Sequence, residues 1–439
     1  MNKSFGLSIG AIAAANSLCV AQSLPPVRQL GPVTAVEKEP LGAISGVRQL
    51  PDGRVIVNDI VGRRVVMFDS TLANVTVIAD TTSATANAYG VRPGGLIAFR
   101  GDSTLFVDPA SLSMLLIDPN GKVARVMSAP RAQDVAFLIG GPFGNPGFDP
   151  QGRLVYRAPP NFGAFGPLRA GGGGNGGPPQ IPTPPDSAAL VRYDLATRKI
   201  DTVTYFKTPK INLTVSQSPD GGVRVMSAVN PLPQGDDWAL LPDGTIALVR
   251  ARDFHVDWLG SDGKVTSSPK IPFNWQRLTD DQKVAFIDSA KVAIEKQRAS
   301  GQLGVGVGGG GPQLVFRDAG PGGPGGGQRG GGPTTTTTTS APTQLPPLTM
   351  VPATDLPDYK PAFTPGATRA DPEGNLWIRT SENVDARPVY DVVNRQGELV
   401  DRVQLPANRV LVGFGSGGIV YLGVRDGTTA HLEKARVKQ

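Results

Sequence analysis

Short apolar runs separated by tight turns make up most of the chain, and residues 46–59, GVRQLPDGRVIVND, show the pattern clearly. One apolar run ends at a Pro-Asp-Gly turn, and a second run follows and ends on Asn58 and Asp59. Short apolar runs joined by a glycine-containing turn are typical of β-hairpins, because such turns need positive φ angles. This stretch therefore predicts one hairpin of a β-sheet.

The same pattern occurs six times along the chain. A second hairpin often follows each copy, so a complete unit has four strands over about 45–50 residues, the size of a propeller blade. Four-stranded units bury both faces when they stand radially side by side, whereas a β-sandwich does not explain six similar units. We therefore predict an all-β, six-bladed β-propeller. The other copies begin at residues 95, 145, 236, 367 and 410, and the predicted turn glycines are Gly53, Gly101, Gly152, Gly244, Gly374 and Gly418.

The last unit contains only three strand-like runs after Val410, so it lacks one strand. A strand-like run near the other end of the chain, Val33–Val36, belongs to no unit. Pairing this run with the last unit would complete the sixth blade and remove an exposed sheet edge. The sequence thus predicts that an N-terminal strand closes the ring.

The remaining segments divide the chain. Residues 1–21 contain a lysine, then an apolar run interrupted by Gly, Ser and Asn, and then small residues. This pattern predicts a cleaved signal peptide and an exported protein that is periplasmic or extracellular. We assign residues 22–439 to the propeller, with insertions at 158–187 (Gly/Pro-rich), 274–300 (a helix) and 304–345 (low complexity). The composition of 304–345 predicts disorder, and Thr279 with Gln282 predicts the helix N-terminus. All long insertions fall in connections that lie on one face of a propeller, which should be the functional face.

Charge and cysteine content exclude several classes of function. The net charge of +6 comes from scattered residues, without the basic run or interleaved aromatic residues of a nucleic-acid groove. The single cysteine, Cys19, lies in the predicted signal peptide, so the mature chain would have no disulfide and no thiol nucleophile. A lipid anchor at Cys19 is the less favoured alternative to cleavage. We expect no membrane span and a monomer.

Polar residues end the second strand of each unit and form the candidate site. If the strand ends ring the channel mouth, they would make a pocket for a polar or anionic ligand, in which arginine gives bidentate contacts. The alternative is structural pairing of aspartate with arginine between blades, which is the more common use of such pairs. His255 lies nearby, but no partner for acid–base catalysis is evident, and no catalytic residue is assigned. The candidate ligand-binding residues are Asp59, Asp108, Arg157, Arg250, His255 and Arg379.

Blade 1 resembles six-bladed propellers of the NHL-repeat and gluconolactonase-like kind. The resemblance rests on Ser45-Gly46-Val47, the turn Leu50-Pro51-Asp52-Gly53-Arg54 and the strand end Val57-Asn58-Asp59. It implies the propeller fold and, in lactonase-like members, a divalent metal held by carboxylate and amide oxygens in the channel. The expected glutamate near the start of the first blade has no clear match, and arginine occupies three equivalent positions. The residues with suitable oxygens for calcium or another divalent cation are Asn58, Asp59, Asp108 and Asn145.

Two functions remain open at this point. The first is an exported binding module, without a cofactor, that presents one loop-rich face to a protein, a polymer or a small polar ligand. The second is a metal-dependent hydrolase of the lactonase type that acts in the central channel. The presence or absence of a stabilising metal distinguishes the two functions.

Overall fold

The computed structural model has six blades of β-sheet around a central channel, which confirms the predicted fold. It describes residues 24–82, 89–160, 184–217, 223–299, 316–317 and 348–438. In blades 1 to 5 four strands that follow each other in the blade pair in antiparallel order, in blade 6 an N-terminal strand joins three C-terminal ones, and at four of the six junctions the first strands of neighbouring blades contact each other. The first strand of every blade is therefore the innermost one.

The strand bounds follow the predicted repeat. Blade 1 consists of Ile44–Gln49, Val55–Asp59, Arg64–Phe68 and Val75–Ala79; blade 2 of Gly95–Ala98, Thr104–Asp108, Ser113–Ile117 and Val123–Ser128. Blade 3 consists of Gly147–Phe148, Arg153–Arg157, Ser187–Asp194 and Ile200–Lys207; blade 4 of Asp237–Leu240, Ile246–Arg250, His255–Leu259 and Val265–Ser267. Blade 5 consists of Phe363–Ala370, Leu376–Val384, Arg387–Val393 and Leu399–Gln404; blade 6 of Arg409–Gly415, Ile419–Asp426, Thr429–Arg436 and Val33–Val36.

Tight turns join the first strand of each blade to the second on one face of the ring. All six predicted turn glycines have positive φ angles, from 58° at Gly101 to 89° at Gly53. In blade 1 the Gly53 amide donates to the Leu50 carbonyl across 2.9 Å, which closes the turn. The connections between second and third strands, and between blades, leave from the opposite face. We call this opposite face the insertion face because it carries every long insertion.

Both ends of the chain meet in blades 5 and 6. Val33–Val36 pairs with Thr429–Arg436, as predicted, and completes blade 6. A strand that the sequence analysis missed, Val27–Gln29, adds in parallel to the outer edge of blade 5. Between the two N-terminal strands, Leu30 is 7% exposed and packs in the apolar cluster between these blades. The N-terminal segment thus fastens the last two blades together.

The core lies between the blades, where sheet faces pack against each other. One cluster joins blades 4 and 5 through Phe254 and Phe363, whose ring centroids lie 5.7 Å apart. Another joins blades 2 and 3 around Tyr156, which is fully buried. The stability of the ring therefore comes from apolar packing repeated at each blade junction.

The insertions carry the remaining elements. The predicted helix is present as Asp280–Ala299, and its capping box is formed by Thr279 and Gln282, whose amides bond each other's side chains at 2.9 and 3.3 Å. None of the helices in the described part of the chain is long and apolar enough to cross a membrane. Short 3-10 helices and a separate small sheet complete the insertions: Ala132–Phe137, Gly141–Phe143, Ala353–Asp355, Asn212–Gln217, Val223–Ala228 and Phe316–Arg317.

The predicted signal peptide lies outside the described residues, as does residue range 161–183 of the first insertion. Within the low-complexity range 304–345 only Phe316–Arg317 is described, where it pairs with Val223–Ala228. The predictions of cleavage and disorder therefore stay predictions.

Candidate functional site

The two predicted aspartates hold the loops that follow their own strands. Asp59 is buried, and its carboxylate accepts hydrogen bonds from the amides of Gly42, Ala43 and Gly62 at 2.9–3.0 Å. Its second oxygen also accepts from Nε of Arg64 at 3.1 Å. A side chain at Gly62 would lie 2.3 Å from this carboxylate, so the glycine permits the close approach. The Asp59 carboxylate thus acts as an anchor for two loops.

Asp108 repeats this arrangement in blade 2. Its oxygens accept from the amides of Ala110 and Ser111, at 3.0 and 3.3 Å, and from the Ser111 hydroxyl at 2.5 Å. An aspartate that bonds the amides two and three residues later forms an Asx turn, which fixes the local backbone. Neither predicted aspartate needs a ligand to satisfy its charge.

The predicted amide ligands also have protein partners. The side-chain nitrogen of Asn58 donates to the Ser45 hydroxyl at 2.8 Å and to the Gly94 carbonyl at 2.7 Å. Its oxygen accepts from the Tyr89 hydroxyl at 3.0 Å. Asn145 donates to the carbonyl of Thr368 in blade 5 at 3.4 Å. These contacts hold the inner strands and the segment that precedes blade 3.

The four proposed metal ligands all have protein partners in this structure. The oxygens of Asn58 and Asp59 accept hydrogen bonds from N–H and O–H donors, so a cation there would have to share these oxygens with the donors or displace them. Across the described residues, no group of three or more histidine, cysteine, aspartate or glutamate side chains is arranged to hold a metal. We therefore derive no chemistry through a metal at these residues.

Arg157 lies in a cage of aromatic rings. Its guanidinium carbon is 5.2 Å from the ring centroid of Phe143, 5.7 Å from that of Phe206 and 5.9 Å from that of Phe137. Burial lowers the pKa of Arg157 to about 10, and the nearby Asp237 charge partly opposes the change. The cage fixes the 3-10 helix Gly141–Phe143, so Arg157 holds an insertion in place at the end of its strand.

Asp237 is a buried acid near this insertion. It accepts a hydrogen bond from the Thr368 amide at 2.8 Å, which links blades 4 and 5. Loss of hydration raises the pKa of Asp237 to about 6. Next to it, Nε1 of Trp238 donates to the Phe143 carbonyl at 3.1 Å. The 3-10 helix that Arg157 holds is therefore also bonded to blade 4.

Arg250 and His255 are the two predicted ligand-binding residues that the structure brings together. Strand pairing sets them opposite each other in blade 4, and both contact Asp257, at 2.6 Å from Arg250 and 3.2 Å from His255. Arg250 also bonds Asp236 at 2.8 Å, and His255 bonds Asp253 at 2.7 Å. These contacts form a charge network within one blade and its adjoining loops.

Arg379 is exposed and does not end its strand, which is a correction to the predicted blade 5. The strand continues to Val384, and Asp385 and Ala386, both with positive φ, make the turn. The predicted ligand groups thus stay in separate blades, except for Arg250 and His255, which lie side by side in blade 4. The structure uses Asp59, Asp108 and Arg250 for local bonds within or beside their own blades.

A pocket on the insertion face, which the sequence analysis missed, lies between blade 5 and the segment after blade 4. We call it the blade-5 pocket. It is an open pocket of about 590 Å³ whose lining contains two aromatic residues and several polar ones. The volume lies in the usual range of small-molecule sites, about 300–1,000 Å³. The lining residues are Val27, Phe273, Asn274, Trp275, Gln276, Lys360, Ser381, Glu382, Asn383, Val384 and Arg402.

The aromatic wall of this pocket is held firmly. The rings of Phe273 and Trp275 meet edge to face with centroids 5.3 Å apart, and the Trp275 amide donates to the Phe273 carbonyl at 3.1 Å. The next residue, Gln276, accepts a backbone hydrogen bond from Lys360 at 2.9 Å. Trp275 is nevertheless 38% exposed. Its ring is thus an ordered aromatic surface that faces a cavity.

The base of the pocket contains paired charges. Buried Arg402 bonds Glu382 and, through Nε at 3.2 Å, Asp391. Loss of hydration raises the pKa of Asp391 to about 7, against the attraction of Arg402. Asn274 donates to Glu382 at 3.1 Å, and the Lys360 ammonium donates to the Ser381 carbonyl at 2.8 Å. Every charged side chain in the lining therefore has a protein partner.

Comparison with known proteins gives structural similarity only. No protein-family model matches the chain, and no curated protein sequence matches it. A gluconolactonase from Xanthomonas campestris has 11% identity and a TM-score of 0.38, over 93% of this chain and 99% of its own. The calcium-binding protein regucalcin from Agrobacterium tumefaciens has 11% identity and a TM-score of 0.39, over 94% and 97%. The predicted six-bladed propeller is confirmed by the sheet topology of this chain itself.

Proposed function

We propose that the protein is an exported binding protein that takes a small polar ligand in the blade-5 pocket. The observation that carries the proposal is the pocket itself, which combines an exposed tryptophan, several amide groups and a rigid frame on the insertion face. Binding sites are commonly concave, with apolar walls and a few fixed polar groups. A preformed wall reduces the ordering entropy that binding would otherwise cost.

The proposal is tested by the melting temperature of the mature chain with a panel of sugars, amino acids, carboxylates and amines. A compound at 100 times its Kd stabilises the folded state by about 2.7 kcal/mol, which is readily measured. The stabilisation should disappear in Trp275→Ala. It should persist in Tyr205→Ala, which removes an aromatic side chain that is 62% exposed on blade 3. If no compound stabilises the protein, or if both variants respond like the parent, the pocket is not the binding site.

Export is the second part of the proposal, and residues 1–21 support it by their composition. N-terminal sequencing of the protein from the periplasm or the medium should find a chain that begins after Ala21. Recovery of full-length protein from the cytoplasm alone would contradict export.

The alternative function is a metal-dependent hydrolase of the lactonase type. It is favoured by the names of two similar structures and opposed by the protein donors around Asn58 and Asp59. Two measurements decide between the functions: the metal content of the purified protein, and its melting temperature in calcium and in EDTA. A bound ion should raise the melting temperature by mass action, and the binding-protein proposal predicts no such change.

A further inference from the structure

We infer that the ligand of the blade-5 pocket is a neutral, polyhydroxylated molecule, with a short saccharide as the fitting class. This inference rests on the proposed function, because it assigns the chemistry of the ligand to the same pocket. It is carried by three properties of the lining: the state of its charges, the type of its polar groups and the aromatic wall.

The charges of Arg402 and Glu382 in the lining are paired within the protein, and the Lys360 ammonium is hydrogen-bonded to a neutral carbonyl. Arg402 bonds both Glu382 and Asp391, and the Lys360 ammonium donates to a backbone carbonyl. An anionic ligand would have to compete with two carboxylates for the guanidinium, and a cationic ligand would have to compete with that guanidinium for Glu382. Breaking either pair would leave a buried charge without its partner, which is costly. The Arg402–Glu382 pair therefore favours an uncharged ligand, whereas Lys360 has no carboxylate partner among these contacts and makes the anionic probe a necessary test.

The polar groups of the lining match hydroxyl groups. Asn274, Gln276 and Asn383 are carboxamides on the surface of the protein, and each offers both a donor and an acceptor. A sugar hydroxyl likewise donates one hydrogen bond and accepts others. In addition, the Ser381 hydroxyl lies in the wall with its oxygen buried and without a hydrogen-bond partner in the protein. A buried hydroxyl without a partner costs free energy, and a ligand could bond it only if its surroundings moved to expose the oxygen.

The aromatic wall complements the remaining surface of a sugar ring. One face of a pyranose presents C–H groups, which pack against the negative face of an aromatic ring. Trp275 offers such a surface, and its orientation is fixed by Phe273. The apolar side chains of Val27 and Val384 lie elsewhere in the same lining. A flat ligand with one apolar face and a polar rim fits this arrangement, and the volume admits more than one ring.

The experiment uses the tryptophan of the pocket as its probe. The chain has four tryptophans, and the other three, Trp238, Trp258 and Trp377, are at most 8% exposed. Acrylamide quenching of the mature protein therefore reports mainly on Trp275. The probes are cellobiose, maltose and diacetylchitobiose as neutral ligands, digalacturonate as an anion and choline as a cation.

We expect at least one neutral disaccharide to protect Trp275 from acrylamide, with an affinity that is the same at low and high salt, since a neutral ligand is not screened. Calorimetry should show affinity that is about tenfold weaker in Trp275→Ala, from the lost ring contact. Trp275→Phe should retain part of the affinity for the disaccharide, and Asn383→Ala should also weaken that affinity. Both residues are exposed, so these variants should fold normally.

The outcomes separate the two proposals. If choline or digalacturonate protects Trp275 in a salt-dependent manner and the neutral disaccharides do not, the pocket binds a ligand but the assignment of a neutral saccharide is wrong. If a disaccharide binds equally well to the parent and to Trp275→Ala, it binds elsewhere, and the inference fails. If neither these probes nor the wider compound panel protects Trp275, the inference and the proposed function fail together.

Discussion

Replacement of Leu30 by alanine should destabilise the whole ring, because this side chain fastens the N-terminal segment to blades 5 and 6. Leu30 is 7% exposed and packs with Val403, Leu411 and Ala435 in one cluster. The change removes three buried carbons, which at about 0.8 kcal/mol each amounts to about 2.4 kcal/mol before any cavity is counted. Measured leucine-to-alanine changes in cores cost about 2–5 kcal/mol, so we expect a loss of about 3 kcal/mol.

Equilibrium unfolding in urea, followed by far-UV circular dichroism, measures this loss. With a slope of about 3 kcal/mol per molar urea, the midpoint should fall by about 1 M. Val36→Thr is the matched control, since it changes a 46% exposed side chain in the same segment and keeps a β-branched residue. Its effect should stay within about 0.5 kcal/mol. If Leu30→Ala unfolds at the same urea concentration as the control, the N-terminal segment does not hold the blades together, and our account of ring closure is wrong.

Three further predictions address other parts of the structure. Arg157→Ala should lower the free energy of unfolding in urea by about 2–3 kcal/mol, because it removes the cation from the aromatic cage. Arg379→Ala, at an exposed position, is the control and should change this free energy by less than about 0.5 kcal/mol. Equal effects of the two changes would contradict a stabilising role of the cage. In the folded protein the pKa of Asp237 is about 6, above its usual 3.8, so the folded protein binds this proton more tightly than the unfolded chain does. The free energy of unfolding should therefore decline as pH rises from about 4 to about 6. Asp237→Asn should make that decline smaller and leave the part that comes from Asp391, whose pKa is raised to about 7, and an unchanged pH profile of stability would refute the assignment. Calcium and EDTA should leave the melting temperature unchanged, and a rise of several degrees in calcium would restore the metal-dependent alternative.

The repeat could be predicted from the sequence because its signals are local. Each blade contains a turn whose glycine needs positive φ, so the same letters recur at every first hairpin. The closure of the ring followed from counting strands, since blade 6 was one strand short and Val33–Val36 was unassigned. The parallel strand Val27–Gln29 could not be predicted in this way, because only its neighbours in three dimensions supply its hydrogen bonds.

The two aspartates of the candidate ligand ring have local backbone bonds, and the sequence partly displayed the physical reason. Asp59 is followed three residues later by Gly62, and Asp108 by Ser111, a spacing that favours a side-chain bond to the local backbone. We interpreted these aspartates as ligand groups although the turn itself satisfies them. The Asx pattern in the sequence predicts these local bonds, and the role of the aspartates in ligand binding stays a prediction.

The blade-5 pocket had no sequence signal that could have identified it. Its walls come from residues 273–276, from the hairpin end at 381–384 and from Arg402, which no motif connects. The long strand Leu376–Val384 with its two-residue turn creates one wall, and the prediction had ended that strand at Arg379. An error of five residues at a strand end was therefore enough to hide the site.

The joining of the two chain ends has a consequence for the order of folding. Val36 pairs with Glu433, so the strand that completes blade 6 meets its partner only after nearly the whole chain has been made. Contacts between residues so distant in sequence form slowly, since the intervening loop must first lose its freedom. Until then the outer edges of blades 5 and 6 are unpaired strands that can pair with another chain. A partially made or C-terminally shortened chain would therefore have the blades but not the ring, and its open edges would make it prone to aggregation.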